Sequence, residues 1–61
     1  MKVLDVLEAL KQDGWTFRNQ EGRHRQLIHP TKPGKVTVHG HPSLELDPKT
    51  LKSIMRQAGL L

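Results

Sequence analysis

Apolar residues near the N-terminus recur at the spacing of one face of an amphipathic helix. The residues that share this face are Val3, Val6, Leu7 and Leu10. Gly14 follows them and can adopt the left-handed backbone conformation that ends many helices. The pattern predicts a first helix over about residues 2–13.

The middle of the chain alternates between apolar and polar positions, which is typical of half-buried strands. The predicted strands are "WTFRNQ" (15–20), "RHRQLIH" (23–29) and "KVTVH" (35–39). Turn residues separate them: "NQEG" ends at Gly22, and "PTKPG" covers 30–34. In the third strand, the inward side chains are predicted to be Val36 and Val38, and the outward ones Thr37 and His39.

The C-terminal segment carries a second helical pattern. Asp47 is predicted to cap the N-terminus of this helix, and Pro48 suits its first position. The apolar stripe consists of Leu51, Ile54, Met55 and Ala58. Gly59 then ends a helix predicted over about 48–58.

These elements predict one α+β domain over residues 1–61, in the order α-β-β-β-α. A three-stranded antiparallel sheet can be covered on one face by two helices with one apolar stripe each. The other face stays open to solvent, and any functional site is expected there. The second strand leaves the faces undecided: burial of Leu27 would expose His24, whereas burial of Ile28 would turn His24 inward.

The charge balance changes this picture from a plain small domain to a candidate polyanion binder. Ten Lys and Arg residues stand against six acidic residues in a chain of 61, a formal net charge of +4. The chain has no cysteine, and no apolar run approaches the roughly 20 residues of a membrane span. Asp5 and Glu8 interrupt the first apolar stripe, which argues against a signal peptide. A cytoplasmic protein is expected.

The stretch "GRHRQ" (22–26) is the strongest candidate for chemistry. His24 stands between Arg23 and Arg25, and two adjacent cations favour the neutral ring that accepts a proton. The arginines would also bind a phosphate. RNA carries its own nucleophile, the 2′-hydroxyl, so a base and nearby cations can suffice to cleave it. Alternatively, His24 is only a polar residue on a wet strand.

Other site types find less support. The four histidines are His24, His29, His39 and His41, and none forms a metal-ligand pair at i, i+4 on a helix. Ser43 and Ser53 have no marks of an activated nucleophile, and no phosphate-binding glycine loop is present. No metal and no cofactor are therefore expected.

Two further groups of side chains have a functional and a structural interpretation. Lys49, Lys52 and Arg56 share one side of the second helix and would contact RNA phosphates, or simply form a solvated face. Trp15 and Phe17 would stack on bases, although core packing is the favoured interpretation for both.

The chain resembles the HicA toxins, small ribonucleases of toxin–antitoxin pairs. The resemblance rests on Gly22-Arg23-His24, on His29-Pro30, and on "VTVHGHPSLELDPKTLKSIMRQAGL" (36–60), of which "LKSIMRQAGL" is most distinctive. It covers almost the whole chain and implies a fold similar to a double-stranded-RNA-binding domain. The family motif is Gly-Ser-His, so Arg23 replaces the serine.

The resemblance implies that His24 is catalytic, that Gly22 is the motif glycine and that the partner is a HicB-like antitoxin. We therefore expect a type II toxin that cleaves mRNA without a metal and arrests translation and growth. In this hypothesis His24 is general base or acid, Arg23 and Arg25 hold the phosphate, and the basic side of the second helix steers RNA. The alternatives are a non-catalytic RNA-binding module, or a weakened HicA-like protein that mainly binds its antitoxin.

Overall fold

A computed structural model describes all 61 residues, and its element order is the predicted one. The elements are α1 (Val3–Gln12), β1 (Thr16–Glu21), β2 (His24–Ile28), β3 (Lys35–His39) and α2 (Pro48–Gln57). Both helices agree with the predicted ranges to within one residue at each end. No helix is long and apolar enough to cross a bilayer.

The helix ends follow the capping rules that the sequence suggested. The Asp47 carboxylate accepts a hydrogen bond from the backbone N–H of Thr50 at 3.1 Å, and Pro48 occupies the first turn. These hydrogen bonds from Thr50 hold the pKa of Asp47 below its usual value. At the start of α1, the Asp5 carboxylate accepts from the backbone N–H of Lys2 at 2.9 Å.

The three strands form an antiparallel sheet in the order β1-β2-β3. Leu27 on β2 is buried, as are Val36 and Val38 on β3. These side chains share one sheet face, and the apolar stripes of α1 and α2 complete the core against it. The ten core residues are Val3, Val6, Leu10, Trp15, Leu27, Val36, Val38, Leu46, Ile54 and Ala58.

The first strand differs from the prediction. Trp15 is buried but precedes β1, whereas Phe17 is 60% exposed, so the favoured core position of Phe17 is wrong. Phe17 pairs with Leu27 and points to the helix-covered side. Phe17 stays exposed because the helices cover β2 and β3 but stop short of the sheet edge that β1 forms. All other residues of β1 are exposed as well. A bulge between Phe17 and Asn19 shifts the register.

Candidate catalytic face

Burial of Leu27 places His24 on the open face of the sheet. In-register residues point to the same side of an antiparallel sheet, so this face consists of three rows that run across the strands. From one end of the sheet to the other, the rows are Glu21–His24–His39, Asn19–Gln26–Thr37 and Thr16–Ile28–Lys35. The histidine row lies at the end of the sheet that carries the β1–β2 turn.

The turn that presents His24 is tighter than predicted. β1 continues to Glu21, which pairs with His24, so only Gly22 and Arg23 form the turn, and most of "NQEG" is strand. Gly22 has a φ of +57°, as the first position of a type II′ hairpin turn requires. A Cβ at Gly22 would meet no atom within 4 Å, so the backbone conformation rather than crowding selects glycine.

His24 has an aromatic neighbour that the sequence reasoning did not identify. Its ring centroid lies 4.2 Å from that of His39, with the two planes tilted by 37°. Both side chains are exposed, and neither imidazole has a hydrogen-bond partner within the chain. The signal was available in the sequence: a hairpin register that pairs the first residue of β2 with the last of β3 brings the two histidines together.

Arg25 does not join this site. It is only 6% exposed and lies on the helix-covered face, opposite His24. Its Nη1 donates to the carbonyl oxygen of Gly40 at 2.7 Å and, more weakly, to that of Arg23 at 3.5 Å. The expectation that Arg23 and Arg25 together flank the imidazole is therefore corrected, because alternate strand residues point to opposite faces. Arg25 instead ties the chain after β3 to the start of β2.

Arg23 remains beside the histidine row. Its side chain is exposed in the turn, and its backbone carbonyl accepts from Gly40 N–H at 3.2 Å. This bond extends the β2–β3 ladder by one step beyond the two histidines. Of the two arginines predicted to flank His24, only Arg23 is open to solvent, and Arg23 is the residue that replaces the family serine.

The other two histidines are engaged in local structure. His29 Nδ1 accepts from the backbone N–H groups of Thr31 and Lys32, both at 3.1 Å, and Nε2 donates to the Asp13 carbonyl at 2.6 Å. Its ring also packs edge-on against Trp15, with centroids 5.2 Å apart. His41 Nδ1 accepts from the backbone N–H of Ser43 at 3.1 Å and lies 2.8 Å from its hydroxyl, a closed local turn.

Lys49, Lys52 and Arg56 are all exposed, and none of them lines the cleft that His39 borders. The helix side nearest β3 carries Thr50, Ser53 and Gln57, which line a cleft of about 470 Å³ together with Thr37 and His39. At ~100° per residue, the mean direction of the three cations lies roughly 100° around α2 from that side. The structure therefore gives two separate regions: a histidine row next to a polar cleft, and a basic helix side.

A second concave surface is apolar. A groove of about 460 Å³ runs between α1 and β1, with Trp15 and Leu27 at its base. Its exposed walls include Leu4, 50% exposed, and Phe17. Nowhere do three side chains of the His, Cys, Asp or Glu types form a group that could hold a metal ion.

The fold and the open face together define a small α+β domain that presents two unengaged imidazoles from the end of an antiparallel sheet. The family described as HicA toxin of bacterial toxin–antitoxin matches residues 4–60, and the chain belongs to the HicA toxin family. The resemblance carried by Gly22-Arg23-His24 and the C-terminal helix is thereby confirmed.

The chain is also similar to part of a much longer protein. It is 43% identical over 37 residues to the DNA cross-link repair protein SNM1 of Arabidopsis thaliana. The matched segment is 61% of this chain, and it spans only 8% of the length of that repair protein. A short stretch of the same kind of sequence therefore occurs within a protein named for DNA repair.

Proposed function

We propose that this member of the HicA toxin family is an endoribonuclease that cleaves mRNA through His24. The observation that carries the proposal is the position of His24: exposed on the open face, at a hairpin turn, with no internal hydrogen bond to occupy its ring. A free imidazole on a rigid strand is suited to general acid–base work near neutral pH. Cleavage of messages would arrest translation and growth.

The proposed reaction needs no nucleophile from the protein. A base takes the proton of the RNA 2′-hydroxyl, the 2′-oxygen forms a bond to phosphorus, and the bond from phosphorus to the 5′-oxygen breaks. The departing 5′-oxygen takes up a proton, and the products are a 2′,3′-cyclic phosphate and a 5′-hydroxyl. His24 serves as the base or the acid, a contribution on the order of 100- to 10,000-fold. The reaction as written uses no metal ion.

Charge around the face would hold the substrate. Arg23 is exposed in the turn next to His24, so its guanidinium can reach a phosphate there. The basic side of α2 faces another way, but the domain measures only 29 × 26 × 16 Å. A folded RNA is large enough to contact both regions at once. We assign Lys49, Lys52 and Arg56 to RNA steering, and we assign Arg25 to the fold.

A cleavage assay with a matched histidine control tests the proposal. The parent, His24→Ala and His41→Ala would be incubated with a folded mRNA in EDTA, from pH 5.5 to 8.5 in steps of about half a unit. We expect the parent and His41→Ala to cleave and His24→Ala to lose cleavage while retaining RNA. Equal cleavage by all three would show that His24 has no catalytic role. Cleavage only without EDTA would contradict the metal-free reaction.

A second candidate function is a nucleic-acid-binding module without catalysis. Two observations favour it: Arg23 adds bulk and charge where the family motif has a serine, and part of the chain is similar to a protein named for DNA cross-link repair. The same assay separates the two functions. A binding module would retain RNA and cleave nothing, with or without His24. Reversion Arg23→Ser would then test whether the arginine itself suppresses cleavage.

A HicB-like antitoxin is the proposed protein partner, because the family consists of toxins of toxin–antitoxin pairs. The apolar groove beside β1 is the surface that we assign to an apolar segment of that antitoxin. Leu4 and Phe17 in this groove are exposed and lie outside the hydrophobic core, so their side chains are available for contact with a partner. We expect Phe17→Asn to weaken antitoxin binding by at least about tenfold in calorimetry, with Gln20→Asn, on the same strand but outside the groove, as a control. Equal affinities for the two variants would remove the groove from the interface.

A further inference from the structure

We propose that His39 is a second catalytic residue, so that His24 and His39 act as an acid–base pair on one phosphodiester. The inference rests on the proposed ribonuclease function and adds a residue that the family motif does not contain. Its basis is the juxtaposition of two unengaged imidazoles at 4.2 Å on the open face of the sheet.

Backbone pairing fixes the two rings relative to one another. His24 and His39 are direct partners in the β2–β3 register, and their Cβ atoms are held at the short distance typical of such pairs. The bond from Gly40 N–H to the Arg23 carbonyl closes the ladder just beyond them. The buried Arg25 holds the Gly40 carbonyl from the other face. Sites built on paired strands hold their side chains more precisely than sites on loops.

The engagement of the four histidines separates them into two groups. Both ring nitrogens of His29 are committed to backbone groups, and His41 Nδ1 is committed to Ser43. The rings of His24 and His39 have only each other. A merely structural cross-strand pair would also place two rings in contact, so the proposal must be tested by a change that keeps the ring contact and removes proton transfer.

The chemistry calls for two proton transfers at different atoms. One imidazole takes the proton of the 2′-hydroxyl as the bond from the 2′-oxygen to phosphorus forms. The other gives its proton to the 5′-oxygen as the bond from phosphorus to that oxygen breaks. The pair ends with its protons exchanged and the total unchanged, and solvent restores the starting state. A single imidazole would have to serve both oxygens in turn.

The surroundings of the pair also suit an extended substrate. His39 borders the cleft between β3 and α2, where Thr37, Thr50 and Ser53 offer neutral hydrogen-bonding groups. One strand of RNA that passes over the pair can therefore continue into this cleft. Glu45 and Asp47 also line the cleft. Together with Glu21, which pairs with His24, and Arg23 in the turn, these charged residues border the histidine row and its cleft.

The test compares His39→Ala and His39→Phe with the parent and with His41→Ala, a histidine of the following turn whose Nδ1 is engaged by Ser43. The substrate is a short RNA with one cleavable linkage, prepared with either oxygen or sulfur as the 5′-leaving atom. A thiolate leaves without a proton, so the sulfur substrate does not need the acid. His39→Phe keeps an aromatic ring against His24, and thermal unfolding confirms that each variant is folded.

We expect both His39 variants to cleave the oxygen substrate at least about 100-fold more slowly than the parent, with RNA affinity retained. One limb of the pH–rate profile should disappear with His39, and the other with His24. The sulfur substrate should restore cleavage to the variant of only one of the two histidines, and that histidine is the acid. His41→Ala should retain the parent profile.

Cleavage by His39→Phe within about threefold of the parent would overturn the pair and leave His24 acting alone. If the sulfur substrate restored cleavage to the variants of both histidines, or to neither, the division into an acid and a base would be overturned. Absence of cleavage by the parent on both substrates would overturn the proposed function and the inference with it. The first two outcomes leave the ribonuclease function intact, so the failures are distinguishable.

Discussion

The two ends of the sheet use the same residue type in opposite ways. His29 follows the last residue of β2 and is held by two backbone N–H groups, one carbonyl and the edge of Trp15. The imidazole of His24, at the start of the same strand, has no hydrogen bond within the chain and contacts the ring of His39. An imidazole whose nitrogens are satisfied stabilises the fold, whereas one whose nitrogens are free can act on a substrate. Hydrogen bonding within the chain therefore distinguishes the structural histidine from the one proposed to be catalytic.

The engaged end is a polar clasp, which we define as Asp13, His29, Lys32 and the carbonyl of Ala58. Lys32 Nζ donates to the Asp13 carboxylate at 2.5 Å and to the Ala58 carbonyl at 3.0 Å. The clasp therefore joins the end of α1, the β2–β3 loop and the end of α2. The other end of the sheet has an open histidine row and a two-residue turn, with few internal bonds to its side chains.

The largest expected effect is the difference in stability between the same alanine substitution made at the two ends of the sheet. His29→Ala removes the hydrogen bonds to Asp13, Thr31 and Lys32 and an edge contact with Trp15, and we expect a loss of about 2–4 kcal/mol in the free energy of unfolding. A domain of this size has only about 3–9 kcal/mol in total. His24→Ala should change it by less than about 0.5 kcal/mol, because its side chain is exposed.

Urea denaturation followed by Trp15 fluorescence measures both variants. His29→Asn, which keeps one hydrogen-bonding group, should fall between the parent and the alanine variant. Equal stability of His24→Ala and His29→Ala would contradict the division of the sheet into a structural end and a functional end.

The basic side of α2 should contribute to RNA affinity without affecting the chemical step. Replacing Lys49, Lys52 and Arg56 with glutamine removes three cations from an exposed helix side. On single-stranded RNA, the slope of log affinity against log salt should become shallower by about two. The rate at saturating RNA should stay within a factor of about three of the parent, because these residues lie away from the histidine row.

Binding titrations at four salt concentrations measure this slope. The matched control replaces Lys2, Lys11 and Arg18 with glutamine, which removes the same charge from other exposed positions. If both triple variants lose affinity equally, net charge alone accounts for RNA binding, and α2 has no specific role in it.

The smallest expected effect is confined to acid pH and to the clasp. The hydrogen bond from Lys32 holds the pKa of Asp13 below its usual value. A lowered folded-state pKa gives stability that is fully present above the ordinary aspartate pKa and is lost as pH falls through the folded value. The parent should therefore lose stability below about pH 4. Asp13→Asn and Lys32→Met should each flatten this dependence.

Thermal unfolding from pH 2 to 7, in steps of about half a unit, follows the effect. Asp47, whose pKa is lowered by hydrogen bonds from Thr50, contributes in the same direction and remains in both variants. Thr50 is retained so that this contribution stays constant. An unchanged acid limb in both variants would show that the ion pair of the clasp does not stabilise the fold.

Much of the fold was predictable because its signals are local. The periodicity of α1 and α2, the Asp47-Pro48 start and the alternation of Val36 and Val38 each depend on a few adjacent residues. Phe17 was mispredicted because its burial depends on how far a helix reaches over the sheet edge, which alternation does not encode. The bulge after Phe17 is likewise set by pairing with β2.

The candidate site was predictable only in part, for the same reason. Gly22 and His24 belong to one turn and could be read together, but His24 and His39 meet through the register of a hairpin, fifteen residues apart in sequence. Arg25 was placed with His24 because it is adjacent in sequence, whereas the pleat of the strand sends it to the other face. The candidate site therefore joins residues of neighbouring strands, and alternation along a single strand does not reveal such a pair.

The side chains of the open face are largely independent of the core. Because His24 and His39 make no contact that the hydrophobic cluster requires, their replacement can leave the fold intact. Under the proposed function, a single exchange at either histidine would therefore silence the toxin without first making the fold unstable. Under that function, a lineage that carries the toxin would have a short and reversible route to a harmless folded protein.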